Sequence, residues 1–190
     1  MCKAIGPCYL CCSESGASNA LEKATQLLES DLKLTVNRKK THIVHSDDGV
    51  RYLGVDIGSR YTRIQSKKLS EFKDKIRALT KRNGGCNLAT VVSRLPPVLR
   101  GFAHYFKIAD CYRVMKSLSG WIRRRLRAIQ LTLWKKPGRL HRRLRQLGYK
   151  GPFKFIEMNP WRNSRSRLAS YAMPNGWFES LGLFQLDGIF

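Results

Sequence analysis

A run of basic residues in the middle of the chain has the residue types best suited to binding an anion. Residues 111–156 contain fourteen Lys or Arg and no Asp or Glu. At the helical advance of about 100° per residue, one side of a helix collects Arg113, Lys116, Arg123, Arg124 and Arg127. Protein surfaces normally mix both signs of charge, and an unbroken positive face is stable where an anion offsets it. The run therefore predicts contact with a phosphate backbone.

The opposite side of the same helix is apolar and predicts burial. Its members are Val114, Leu118, Trp121, Ile122, Ile129 and Leu133. Arg125 projects toward the flank of this side, so we expect a structural pairing for it rather than a ligand contact. An interfacial membrane helix needs a freely available apolar face. Nucleic acid is therefore favoured over a membrane surface as the partner of this helix.

The basic run continues beyond that helix. Leu140, Leu144 and Leu147 have helical spacing and define one more short helix after Pro137-Gly138, which is expected to stop the long one. The cations in and before it are expected to contact the same anionic partner; they are Lys135, Lys136, Arg139, Arg142, Arg143 and Arg145.

The composition of the whole chain agrees with a polynucleotide partner. A net charge of +23 on 190 residues, with a pI near 10.3, is the electrostatic footprint of a nucleic-acid binder. The hydrophobic content of 43% is too high for a disordered basic tail, so one or two folded domains are expected. The sequence contains no apolar run long enough to span a bilayer and no signal-like start, which predicts an intracellular protein without a membrane partner.

A metal site is not expected from the cysteine and histidine spacing. Cys8 and Cys11 form a C-x2-C and His42 and His45 an H-x2-H, but the thirty intervening residues exceed the usual zinc-finger spacing. His42 and His45 would also face opposite sides of a strand. The segment Cys8–Cys12 is better interpreted as a buried strand in which cysteine acts as a small hydrophobe.

The acidic pair Asp47-Asp48 is interpreted as part of a turn. Asp-Asp-Gly between two strand-like segments is typical of a hairpin, and no third oxygen ligand for a divalent ion lies nearby. No catalytic residue, metal ligand or cofactor site is therefore expected.

Periodicity along the chain predicts an α+β fold that is mostly helical. A first helix is expected over Ala17–Leu32. Three or four short strands follow among the segments Leu34–Val36, Thr41–Val44, Val50–Ile57 and Tyr61–Ile64, with Gly58-Ser59-Arg60 as a hairpin loop.

Helices follow from an N-cap at Ser66 to Leu79, from Asn87 to Leu95, after Pro96-Pro97, and from Cys111 to Trp134. The last forty residues are expected to form one or two short helices wrapped back on the bundle. Three domains are predicted, at residues 1–66, 67–150 and 151–190.

The central residues resemble a known family. The sequence Leu95–Phe106, followed by Ala109-Asp110, Leu118, Trp121–Arg127 and Trp134-Lys135, is similar to the maturase-specific domain, also called X or thumb, of group II intron-encoded reverse transcriptases. Leu34–Thr41 and Tyr52–Val55 resemble the last two palm motifs of these enzymes. Trp161-Arg162, Pro174-Asn175 and Leu181–Leu183 resemble the end of the bacterial form that lacks an endonuclease. Pro96 and Phe102 depart from the Asn and Trp that the family usually has.

The resemblance implies a small antiparallel remnant of a reverse transcriptase palm, a three-helix thumb-type bundle and a C-terminal segment packed on it. The family's Tyr-x-Asp-Asp motif would fall on Ala4–Pro7, which reads Ala-Ile-Gly-Pro. Two-metal phosphoryl transfer needs such carboxylates. We therefore expect a C-terminal maturase fragment without polymerase activity of its own. Mg²⁺ would be required only by a complete polymerase or by the intron RNA.

The resemblance also implies partners and a role. Group II intron RNA is the expected partner, with an RNA or DNA template–primer duplex as a further one, and the expected role is to assist intron folding and splicing in the cytoplasm or nucleoid of a bacterium. Tyr52, Leu53, Gly54 and Lys40 are similar to the primer grip, although an ordinary glycine bend and a solvated lysine explain them equally well. A trans-acting subunit of a split reverse transcriptase and a remnant of a decayed mobile intron remain alternatives. The sequence does not indicate an oligomeric state.

Overall fold

A computed structural model describes residues 10–153 and 162–189 of the chain. The chain divides into two compact units, one up to Arg63 and one from Ile64 onward. The described residues are mostly helical with a small three-stranded antiparallel sheet, which confirms the predicted α+β class. Ala4–Pro7, Cys8 and Trp161, which entered the sequence interpretation, lie outside the described residues.

The described part of the first unit contains a helix, α1 (Glu14–Gln26), followed by a π-helical turn at Leu27–Asp31. This helix starts three residues before the predicted Ala17, because the Ser13 hydroxyl accepts a hydrogen bond from the Gly16 N–H at 3.2 Å and caps it. The strand predicted over Cys8–Cys12 is wrong for its described part, since residues 10–12 are irregular and exposed.

Two of the predicted strands are also absent. Leu34–Val36 and Thr41–Val44 are irregular loops within the described chain, and Leu34, Ile43 and Val44 are exposed. β-Branched residues favour a strand only where a neighbouring strand completes the hydrogen-bond ladder and covers one face. The Asp47-Asp48 pair does lie in a turn, formed by Ser46–Asp48 and by Gly49 at φ +75°, but this turn does not join two strands.

The sheet contains β1 (Val50–Tyr52), β2 (Val55–Ile57) and β3 (Thr62–Ile64) in that order. β1 and β2 are antiparallel, with Val50 opposite Ile57 and Tyr52 opposite Val55, so Val50–Ile57 is a hairpin and not one strand. Gly58-Ser59-Arg60 connects β2 to β3 as predicted, and the Gly58 N–H donates to the Tyr61 carbonyl at 2.8 Å.

The β1–β2 turn has two residues, both with left-handed backbone. Leu53 has φ +48° and Gly54 has φ +82°. Positive φ at both central residues defines a type I′ turn, whose twist matches that of the flanking strands. Glycine adopts this conformation freely and leucine does so at a cost.

The second unit contains seven helices in its described part. They are α2 (Ser66–Leu79), α3 (Leu88–Ser93), α4 (Pro96–Tyr105), α5 (Tyr112–Trp134), α6 (Pro137–Gln146), α7 (Arg167–Ala172) and α8 (Asn175–Ser180), followed by a 3₁₀ turn at Leu186–Ile189. The long basic helix and the two C-terminal helices are thereby confirmed.

Capping side chains and prolines determine where several of these helices begin and end. The Asn87 side chain accepts from the Thr90 N–H at 2.8 Å and caps α3, as expected. Ser66 is the first residue of α2 rather than its cap, which is Gln65. Pro137 opens α6 instead of stopping α5, because α5 already ends at Trp134, where Lys135 turns to φ +59°.

The hydrophobic core of the second unit runs along α5. Met115, Ile122 and Leu126 are fully buried there, and α5 contacts α3, α6, α7 and the C-terminal 3₁₀ turn. On α2, Phe72 stacks on Phe102 of α4 with ring centroids 3.8 Å apart. α7 also contacts α6, so the C-terminal helices pack back on the bundle as predicted.

Candidate nucleic-acid interface

Almost all of the positive charge belongs to the second unit. From Ile64 onward the sequence has 27 Lys or Arg and six Asp or Glu, a net of +21 out of +23. Within α2, Lys68 forms an ion pair with Glu71 and Arg77 with Asp74. Because cations outnumber carboxylates so strongly in its sequence, the unit presents a strong positive field to its surroundings.

The first half of α5 holds an exposed set of these cations. Arg113, Lys116 and Arg124 are exposed, and Arg123 is half-buried. The Lys116 ammonium lies 5.7 Å from the centre of the Tyr112 ring. These four positions agree with the predicted basic side of the helix.

A second set lies on α6 and the segment before it. Lys135, Lys136, Arg139, Arg142 and Arg145 are exposed, and the half-buried Arg143 places its guanidinium 5.9 Å from the centre of the Trp177 ring. We use the term basic surface for the α5 and α6 sets together, namely Arg113, Lys116, Arg123, Arg124, Lys135, Lys136, Arg139, Arg142, Arg143 and Arg145. None of these ten is in an ion pair with a carboxylate in the described part of the chain.

Arg127 corrects the sequence prediction, because it is not on the basic surface. Its side chain is only 8% exposed. Its Nε–H and Nη2–H donate to the Met173 carbonyl at 3.1 and 3.0 Å, and Nη2–H also donates to Asn175 Oδ1 at 3.1 Å. Burial, followed by repulsion from Arg123 and Arg124, lowers the pKa of Arg127 below its ordinary value. Arg127 therefore holds the C-terminal helices against α5 and is not exposed beside the other cations of the helix.

Arg127 is buried because the C-terminal chain returns over the second half of α5, where α7 packs against it. Helical periodicity alone predicts that the basic side stays exposed along the whole helix. Leu131, five turns after Arg113 at the same angle around the helix, is fully buried. That apolar residue within the basic side was the available sequence signal for the change.

Arg125 has the structural role that was predicted for it. Its Nε–H donates to Thr80 Oγ1 at 2.6 Å, and its Nη2–H donates to the Thr80 carbonyl at 3.0 Å. Burial, followed by repulsion from Arg77 and Arg82, lowers its pKa. Arg125, which lies on α5, thereby supplies a hydrogen-bond donor to a carbonyl group at the C-terminal end of α2.

A cleft of about 410 Å³ lies between α2 and α5. It is lined by Leu69, Lys73, Arg77, Arg113, Val114, Ser117, Leu118, Trp121 and Arg124. Trp121 was expected to be buried on the apolar side of α5, and it is half-buried with part of its indole in this cleft. Position 121 lies at the edge between the apolar and the basic sides of α5, which is why periodicity placed it too deep.

The residues similar to a primer grip lie in the first unit. Tyr52, Leu53 and Gly54 form the end of β1 and the type I′ turn, so turn geometry alone accounts for the glycine. Lys40 is exposed at the end of a separate turn, where its N–H donates to the Asn37 carbonyl at 3.0 Å. A role for these four residues stays a prediction.

Within residues 10–153 and 162–189, no group of three or more His, Cys, Asp or Glu is arranged to hold a metal ion. His42 and His45 are exposed. No helix of the described chain has the length and apolar content needed to cross a membrane.

Comparison with known protein families shows a match to the central part of the chain. Residues 69–148 match the family described as group II intron, maturase-specific domain. The matched segment begins in α2 and ends just after α6, so it contains the cleft and the whole basic surface. This match supports a protein of the group II intron maturase type. No curated protein is similar enough to the chain to be matched.

Proposed function

We propose that the chain binds group II intron RNA through the basic surface and that this binding favours the folded intron in splicing. The observation that carries the proposal is the set of ten cations, all inside the segment that matches the maturase-specific family, without a carboxylate partner in the described chain. An anion of high charge density is the partner that such a surface fits.

The binding energy would come mainly from phosphate contacts. Each phosphate neutralised by Lys or Arg releases condensed counterions, and Arg contacts phosphate in a bidentate manner. Backbone contacts fix the position of an RNA without reading its sequence. Preference for the intron would then depend on the spacing of its phosphates, which is set by its folded shape.

The direct test removes three exposed cations from the α5 half of the surface. Arg113→Gln, Lys116→Gln and Arg124→Gln together should weaken intron RNA binding about 10²-fold near physiological salt, from the counterion release of about three phosphate contacts. The fold should persist, because all three side chains are exposed. Filter binding and circular dichroism measure the two quantities.

A matched control removes the same charge from the first unit. Lys23, Lys39 and Arg60 are also exposed, and their combined change to Gln should weaken binding by less than about 3-fold. Equal losses in the two triple variants would mean that net charge, and not the basic surface, determines binding. In that case the proposal is wrong.

The splicing part of the proposal has its own assay. At a Mg²⁺ concentration where the intron alone splices slowly, the chain should raise the splicing rate, and the α5 triple variant should not. Tight binding without any change in splicing rate would contradict this part of the proposal and leave only RNA binding.

A further inference from the structure

The cleft between α2 and α5 differs from the rest of the basic surface because it combines cations with an accessible indole. We propose that this cleft binds one unpaired nucleotide of the RNA, with the base stacked on Trp121 and the adjoining phosphates on the surrounding cations. This inference rests on the proposed function and names the part of the RNA that the site would take.

The charge of the cleft fits a phosphate. Lys73 and Arg77 contribute from α2, and Arg113 and Arg124 from α5. None of the nine residues that line the cleft is acidic. The apolar side chains in its wall lower the local dielectric, which strengthens attraction between the cations and an anion.

Two cations lie over the Trp121 ring, and a base that stacks there would displace one of them. Arg125 lies 5.3 Å from the ring centre and is held in place by its two hydrogen bonds to Thr80. Arg77 lies 5.7 Å from the ring centre, and its described contacts are this cation–π contact and an exposed ion pair with Asp74. Exposed ion pairs and exposed cation–π contacts are both weak, so a base can displace Arg77 from the ring, and Arg77 can then contact a phosphate instead.

The dimensions of the cleft favour a single nucleotide over a duplex. From Leu69 to Arg77 the α2 wall is about 12 Å long at 1.5 Å per residue, and the volume of about 410 Å³ is at the low end of small-ligand sites. A base can stack on an aromatic side chain only when it has left its own helix. Cationic grooves that carry an aromatic platform are the usual binding mode for single strands.

The test compares two RNA probes on variants of one residue. The probes are a short oligouridylate and a blunt RNA duplex. Trp121→Leu should weaken oligouridylate binding about 5- to 150-fold, the range expected for loss of one base–aromatic stack, and should change duplex binding by less than about 2-fold. Trp121→Phe should retain most of the affinity because it keeps an aromatic ring. Trp134→Leu, a half-buried tryptophan at the other end of α5, is the matched control and should leave both affinities unchanged.

Each result separates this inference from the proposed function. If the parent chain binds neither the duplex nor intron RNA, the proposed function itself fails. If the parent chain binds both probes and Trp121→Leu reduces them equally or not at all, the cleft inference is wrong while RNA binding by the basic surface stands.

A second measurement does not depend on the stability of any variant. Photocrosslinking of an oligouridylate that carries 5-iodouridine, followed by mass spectrometry of the parent chain, should place the crosslink on the peptide that contains Trp121. Crosslinks confined to peptides from outside the cleft would overturn the inference.

Discussion

The buried Arg127 gives the sharpest prediction about stability, because it separates a structural arginine from the arginines on the same helix that we propose to bind RNA. Arg127→Gln should destabilise the second unit and leave RNA binding nearly unchanged. The substitution removes three donated hydrogen bonds, two to the Met173 carbonyl and one to Asn175. It also removes a guanidinium 5.5 Å from the centre of the Phe178 ring.

The size of the effect follows from opposing contributions. Hydrogen bonds that involve a charged group contribute about 1.5–3 kcal/mol each. Desolvation of the guanidinium and repulsion from Arg123 and Arg124 offset part of that gain, as the lowered pKa of Arg127 indicates. A net loss of about 2–4 kcal/mol is therefore expected, which corresponds to a fall in Tm of about 8–16 °C for a unit of this size.

The assay is thermal unfolding by circular dichroism, with Arg124→Gln as the control. Arg124 is exposed, so its change should alter stability by less than about 0.5 kcal/mol but weaken RNA binding about 5-fold. Below its unfolding transition, Arg127→Gln should bind RNA within about 3-fold of the parent chain. A variant at Arg127 with unchanged Tm and greatly reduced RNA affinity would refute the assignment of Arg127 to the C-terminal helices.

Three further predictions concern other contacts of the fold. Thr80→Val keeps the side-chain volume but removes the hydroxyl that Arg125 contacts, so it should cost about 1–3 kcal/mol in denaturant unfolding; an unchanged midpoint would contradict the role given to this pair. Leu53→Gly should stabilise the first unit by about 1 kcal/mol, because glycine adopts φ +48° without the steric cost that leucine has, and a loss of stability would show that the exposed leucine side chain matters more. Burial, followed by the charge of Asp110, raises the pKa of the Cys111 thiol, so iodoacetamide should alkylate it far more slowly than the exposed Cys11 and Cys12. Equal alkylation rates for the three thiols would contradict the burial of Cys111. Since the pKa of Cys111 is raised in the folded state, its contribution to stability is present below the ordinary thiol pKa and is lost as the pH rises through the folded value.

Local sequence predicted the second unit well because its helices carry their own signals. α5 has both an apolar side and a basic side over 23 residues, and Asn87 and Pro96 mark the beginnings of α3 and α4. The basic surface followed from the same periodicity. These features depend on residues close together in the chain, so they can be predicted without the tertiary fold.

Two of the errors occurred where a distant segment determines the outcome, and a third was local. Arg127 is buried because residues 173–178 return over α5, more than forty positions along the chain. Thr41–Val44 has strand composition but gains no strand partner among the described residues. The left-handed pair at Leu53 and Gly54 turned one predicted strand into a hairpin, and a leucine at the first turn position gave no sequence warning.

The measurement that tests the central claim most directly is the salt dependence of intron RNA binding by the parent chain and by the α5 triple variant. The slope of log K against log salt reports the number of phosphates neutralised, at about 0.9 per contact for a duplex and about 0.7 for a single strand. The basic surface predicts a steep negative slope for the parent chain, and a slope shallower by about 2–3 after Arg113→Gln, Lys116→Gln and Arg124→Gln. A flat response of the parent chain, or identical slopes for the two proteins, would contradict the claim that this surface contacts the RNA backbone.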